Sequence, residues 1–132
     1  MAKKFTFRGK TLEELQRLDI ASLLPLFAAR QRRSLTRGMT PTKKLLLAKV
    51  VAKAQGTYKK EIRTQCRDMV ILPAMVGQLL HVYNGKEFVP LSIQPEMIGN
   101  FLGIYVLTRS RVQHNAPGIG ATKSSAGALS KK

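Results

Sequence analysis

Four guanidinium groups fall within eight residues, at Arg30, Arg32, Arg33 and Arg37. Arginine keeps its charge, offers a planar fork that grips phosphate oxygens in pairs, and stacks on bases. The cationic run continues through Lys43 and Lys44, then Lys59, Lys60, Arg63 and Arg67. From Ile20 to Lys60 there are ten basic residues and no acid. A solvated helix face would more often mix Lys with Glu, which stabilise each other at helical spacing. An acid-free stretch must find its anions elsewhere, so its chemistry is phosphate recognition. Asp68, next to Arg67, reads as an ion-pair or capping partner rather than as a general base.

Other chemistry is poorly supplied. Cys66 and His81 could form a nucleophile–base pair on paper, but a lone Cys is usually a small buried hydrophobe. Zinc would need four ligands from one Cys, His81, His114 and scattered carboxylates, none at ligand spacing. Gly118-Ile119-Gly120 is too short for a dinucleotide fingerprint and lacks a strand-to-helix context. The expectation is a protein without enzymatic activity, cofactor or metal.

Charge dominates the composition: 132 residues hold 23 Lys and Arg against 7 Asp and Glu, net +16. That balance argues against an enzyme for small neutral metabolites and for a polyanionic partner. A hydrophobic content of 44% argues against full disorder. No apolar run approaches the roughly 18 residues of a membrane span. The start, Met1 to Phe5, lacks the apolar stretch of a signal peptide. A single Cys66 excludes an internal disulfide framework and suits a reducing, cytoplasmic setting.

The charge is unevenly placed. Residues 1–19 carry net +2, residues 20–60 net +10, residues 61–96 net −1 and residues 97–132 net +5. The nearly neutral stretch is also the one with alternating apolar residues and turn signals. This pattern predicts an α+β protein: a basic helical N-terminal arm over 1–60, a compact domain with a small antiparallel sheet and short helices over 61–107, and an extended basic tail over 108–132.

The elements that must position the cations follow from local physics. Thr11 and Glu14 form a capping box ahead of Leu12, Leu15 and Leu18. Asp19 or Ser22 caps a second short turn, in which Pro25 is tolerated only near the start. Thr40-Pro41 starts a helix that runs over residues 42–54 and stops at Gly56. Lys43 falls inside its apolar sector, so this helix is expected to lean on a partner rather than on its own domain. Met69 to Leu72 reads as a buried strand closed by Pro73. Leu80 and Val82 alternate before Asn84-Gly85, and Val89, Leu91 and Ile93 after it, which predicts a hairpin with a type I′ turn. Pro90 cannot donate to a ladder, so the second strand is expected to be an edge or to carry a bulge. Ile104 to Leu107 is expected as a further strand. The pattern Pro-x-Met-x-Gly occurs at 73–77 and 95–99, and each copy reads as one helical turn capped by the same residues. From Thr108 onward large apolar residues thin out, so the segment is expected to order only against a partner.

Neither zinc fingers nor a basic zipper is indicated, and the scattered aromatics form no stacking platform. Binding to backbone and shape, with arms threading between phosphates, suits folded RNA. Several segments then stand out together. They are Ala29-Arg30-Gln31-Arg32-Arg33-Ser34-Leu35, Ile62-Arg63-Thr64, Cys66-Arg67-Asp68-Met69, Ile71-Leu72-Pro73, Met75-Val76-Gly77, Val82-Tyr83-Asn84-Gly85-Lys86, Pro95-Glu96-Met97-Ile98-Gly99, Leu102-Gly103, Pro117-Gly118-Ile119-Gly120-Ala121-Thr122 and Ser124-Ser125. In this order they strongly resemble the small-subunit ribosomal protein S-nineteen family, called S-fifteen in eukaryotes, in its archaeal and eukaryotic branch. The resemblance covers about residues 5–125. Ala74 stands where this branch usually has Glu, Asn100 where His is usual, and His114-Asn115 replaces His-Gly.

The resemblance implies a place in the head of the small ribosomal subunit, with small-subunit ribosomal RNA and the S-thirteen family protein as neighbours. It implies that Arg30, Arg32, Arg33, Arg63, Arg67, Asn84 and Lys86 face RNA. It also implies a C-terminal tail, through Arg109, Arg111, His114 and Lys123, reaching toward aminoacyl-site transfer RNA and messenger RNA in the decoding region. The alternative from a different class is a free-standing architectural nucleic-acid-binding protein.

Overall fold

The computed structural model describes residues 5–112 and Ser124. A two-residue hairpin opens it: β1 (Thr6–Phe7) pairs antiparallel with β2 (Lys10–Thr11). Arg8 and Gly9 between them both take positive φ, 51° and 81°, the backbone that a tight primed turn requires. The hairpin is held to the body by aromatic packing. The rings of Phe7 and Phe27 lie 6.2 Å apart, and a Cβ at Gly99 would come within 3.3 Å of Phe27.

Four helices follow: α1 (Leu12–Arg17), α2 (Ile20–Leu23), α3 (Ala29–Thr36) and α4 (Pro41–Ala54). The capping box is formed, with the Thr11 amide donating to Glu14 Oε2 at 2.9 Å. Asp19, not Ser22, caps α2, its Oδ1 accepting from the Ile20 amide at 2.8 Å. Pro25 lies near the start of its own 3-10 turn, Leu24–Leu26, where it is tolerated. Pro41 opens α4 behind an extended Thr40, and Gly56 at φ 77° follows its end.

The expectation that α4 leans on a partner is overturned. Leu46 and Val50 are 3% and 0% exposed within the common core. Gln78 adds a side-chain bond, its Nε2 donating to the Val50 carbonyl at 2.9 Å. Lys43 does not spoil this face because its side chain is largely covered and its ammonium reaches Asp68 Oδ2 at 2.6 Å. Helical projection placed Lys43 correctly but could not supply its distant acid.

A three-stranded sheet has the order β3-β4-β5, with β3 (Ile62–Thr64), β4 (Leu79–Tyr83) and β5 (Phe88–Ser92). β4 and β5 are antiparallel, with Tyr83 opposite Phe88 and Leu79 opposite Ser92. β3 runs parallel to β4, so this sheet is mixed rather than wholly antiparallel. β5 is an edge strand, and it carries Pro90 opposite His81. The hairpin turn at Asn84 departs from type I′, since Gly85 alone has positive φ there. Asn84 instead turns the chain with its side chain: Oδ1 accepts from the Lys86 and Glu87 amides, each at 2.8 Å.

Residues 69–72 are buried and extended, but they pair with 99–102 and form no named strand. Val70 bridges Phe101, and Ile71 exchanges amide–carbonyl bonds with residues 99 and 100. Both Pro-x-Met-x-Gly segments are single 3-10 turns, Pro73–Met75 and Pro95–Met97, ending near Gly77 and Gly99 at φ 82° and 85°. The same capping physics produces the same backbone twice. The strand expected at 104–107 is absent; a 3-10 turn, Leu102–Ile104, ends where it was expected to begin, and Leu102 and Val106 are both buried.

One apolar cluster joins Leu15, Leu23, Phe27, Leu35, Leu46 and Val50 to Ile62, Ile71, Leu80, Ile93 and Leu102. Among the described residues, position 60 is therefore a boundary in charge rather than in packing. Of the helices carrying the cations, α4 packs on β3, while α3 is fastened to the 3-10 turn before it and joins the common core through Leu35.

Candidate nucleic-acid interface

The eight residues of α3 sort the arginines by face. Arg30, Arg33 and Arg37 follow at spacings of three and four, share one side, and are exposed. Arg32, also exposed, lies on another side of the helix. Its Nε donates to the Leu24 carbonyl at 3.2 Å and its Nη2 to the Phe27 carbonyl at 3.1 Å. These bonds fasten α3 to the preceding 3-10 turn, so Arg32 is a strut of the site.

Arg67 is also recruited inward. Its Nη1 donates to the Tyr83 carbonyl at 2.8 Å, and its Nη2 to Gly103 at 2.8 Å and Val106 at 2.5 Å. One planar cation thus ties the hairpin to the turn after residue 102, where carbonyls lack ladder partners. Gly103 permits the approach, since a Cβ there would lie 3.1 Å from the Arg67 Cβ and carbonyl oxygen. Asn84 shapes its turn through its side-chain oxygen. Lys43 is paired with Asp68 and largely covered, at 13% side-chain exposure. Thus Arg32, Lys43, Arg67 and Asn84 have internal duties that spacing alone did not show.

The remaining cations face solvent. Lys44, Lys59, Lys60, Arg63, Lys86, Arg109 and Arg111 are all exposed. Arg63 pairs with Glu61 at 3.2 Å and lies 5.8 Å over the Phe88 ring. A groove of about 320 Å³ between α4 and the sheet is lined by Thr42, Lys49, Arg63, Gln65 and Phe88 among others. Lys49 is exposed and joins this cationic surface; in the sequence its only signal is its place in an acid-free helix. His114 and Lys123 lie outside the described residues.

Cys66 borders this groove, yet no histidine lines it. His81 sits in β4 with Nε2 3.9 Å from Glu61 Oε2 and no hydrogen-bond partner. No group of three or more His, Cys, Asp or Glu gathers among the described residues, and no helix among them is long and apolar enough to cross a membrane. The fold and this surface define a small basic α+β protein whose outward chemistry is cation presentation. Residues 33–114 match the family Ribosomal protein S19. The chain is 49% identical over 125 residues to the Small ribosomal subunit protein uS19 of Cenarchaeum symbiosum (strain A), with 95% of each chain covered. It has the same identity and coverage with the protein of that name from Nitrosopumilus maritimus (strain SCM1). The chain belongs to the ribosomal protein S19 family, in its archaeal and eukaryotic branch. It is a ribosomal protein and not an enzyme.

Proposed function

We propose that this protein is a structural constituent of the head of the small ribosomal subunit, in the cytoplasm, and that it binds small-subunit ribosomal RNA. The observation that carries the reading is the face formed by Arg30, Arg33 and Arg37, exposed on a helix that is itself fastened to the core. Rigid presentation favours phosphate contacts because little side-chain scaffold must be ordered on binding. Lys44, Lys59, Lys60, Arg63 and Lys86 extend that surface, while Arg32, Lys43, Arg67 and Asn84 hold it in place. Over 108–132, Arg109 and Arg111 lead into a basic segment with His114 and Lys123. That segment reaches toward the decoding region, where aminoacyl-site transfer RNA and messenger RNA are its partners. The S-thirteen family protein is the expected protein neighbour.

Sedimentation of the tagged protein through a gradient tests the reading. Comigration with small subunits that survives moderate salt supports it. A free protein that binds any duplex and is stripped steeply by salt would instead be an architectural nucleic-acid binder.

A further inference from the structure

A recess of about 520 Å³ opens beside the arginine face of α3, within the roughly 300–1,000 Å³ range of ligand pockets. Its apolar wall is Phe101 together with Ile104, which is 57% exposed although no core requirement places it there. Its other lining includes Arg67, whose guanidinium is pinned by three carbonyls, and Arg30 at the rim. Fixed guanidinium and aromatic planes are what splayed RNA bases stack upon. Asp68 also lines this recess, a carboxylate beside an otherwise cationic face. For phosphate binding alone it would be a liability.

Asp68 keeps acceptor capacity that its ion pair does not use. Lys43 holds Oδ2 at 2.6 Å, while the side chain remains 74% exposed. The described residues give Oδ1 no hydrogen-bond partner, and a carboxylate offers about four acceptor sites in all. Guanine is the RNA base that presents two adjacent donors, N1–H and the 2-amino group, on its Watson–Crick edge. Cytosine, adenine and uracil each present one donor there. A positioned carboxylate therefore favours guanine and is left half-satisfied by the others.

We infer that this recess binds an unpaired guanine of RNA, stacked between Arg67 and the Phe101–Ile104 wall and read by Asp68, with Arg30 on its phosphate. The inference rests on the RNA-binding reading above and adds base selectivity to it. The test is fluorescence anisotropy of the full chain with a labelled single-stranded oligonucleotide of uridines holding one central guanosine. The control strands carry adenosine or inosine at that position, inosine lacking only the 2-amino group. At about 0.15 M ionic strength, where distant charges are screened, the guanosine strand binds roughly five- to tenfold more tightly than either control. Asp68→Asn raises the net positive charge, so simple attraction to phosphate predicts tighter binding to every strand. Base reading predicts the opposite for guanosine alone, with the ratio falling to about one. Equal binding of the three strands by the unaltered protein overturns this inference and leaves the RNA-binding reading standing. Failure to bind any strand or an authentic small-subunit RNA overturns both. Because the inosine strand is tested on unaltered protein, the result does not depend on the variant folding.

Discussion

Replacing Arg67 decides whether this residue supports the fold or grips phosphate. The guanidinium makes three bonds to main-chain oxygens of Tyr83, Gly103 and Val106, so Arg67→Met removes all three at once. A hydrogen bond from a charged donor contributes about 1.5–3 kcal/mol net. These sites are half-buried and water will reach some of the freed carbonyls, so the combined loss is expected at about 3–4 kcal/mol. In a body of this size each kcal/mol lowers Tm by roughly 4–8 °C, which places the fall at about 12–32 °C. Arg67→Lys keeps the charge but cannot span three acceptors, and should lose most of the same stability. Urea titration followed by circular dichroism measures the first quantity. The salt dependence of RNA affinity, taken where both proteins are folded, measures the second. A phosphate contact contributes about 0.7–0.9 to that slope, and no change is expected here. An unaltered urea midpoint in Arg67→Met, with a slope reduced by one contact, would refute the reasoning.

Other perturbations probe neighbouring parts of the argument. Gly103→Ala forces a Cβ to 3.1 Å from Arg67 and should cost about 1–2 kcal/mol, with less added when Arg67 is already Met. Leu46→Ala should cost about 2–4 kcal/mol and lower the protection of β4 amides in hydrogen exchange together with those of α4. Protection of β4 that survives the change would mean the helix is an independent arm after all. Asn84→Ala removes two turn bonds of 2.8 Å and should cost about 1 kcal/mol by thermal melting. Replacing Arg30, Arg33 and Arg37 together by Gln should leave Tm within a few degrees and lower the salt slope of RNA binding by about 2–3.

Local structure was readable where one short stretch contains its own cause. Thr11 and Glu14 satisfy each other's neighbourhood three residues apart, and the two Pro-x-Met-x-Gly turns need only proline at one end and glycine at the other. The Asn84-Gly85 hairpin was located for the same reason, though its turn type was not. There the asparagine oxygen takes the Lys86 and Glu87 amides, an outcome that composition does not distinguish from a left-handed asparagine. β3 went unseen because Ile62–Thr64 is three residues long and is ordered by pairing with β4, which begins fifteen residues beyond it. Residues 69–72 looked like a strand because they are uniformly apolar. Their burial is real, but their partners lie about thirty residues away at 99–102, in a segment of turns.

The sequence by itself pointed to a polyanionic partner. Charge is counted along the chain, and an acid-free run from Ile20 to Lys60 leaves no internal counterions nearby. Family motifs, being ordered residue strings, were equally available without coordinates. Only the tertiary structure decided which cations are tied up within the fold. Arg30 and Arg32 are alike in type and two residues apart, yet the helix turns one outward and the other onto the carbonyls of Leu24 and Phe27. Lys43 and Lys44 are adjacent, yet Asp68 claims the first and leaves the second exposed. Each assignment depends on acceptors brought close by folding, and those distances are not encoded in spacing along the chain.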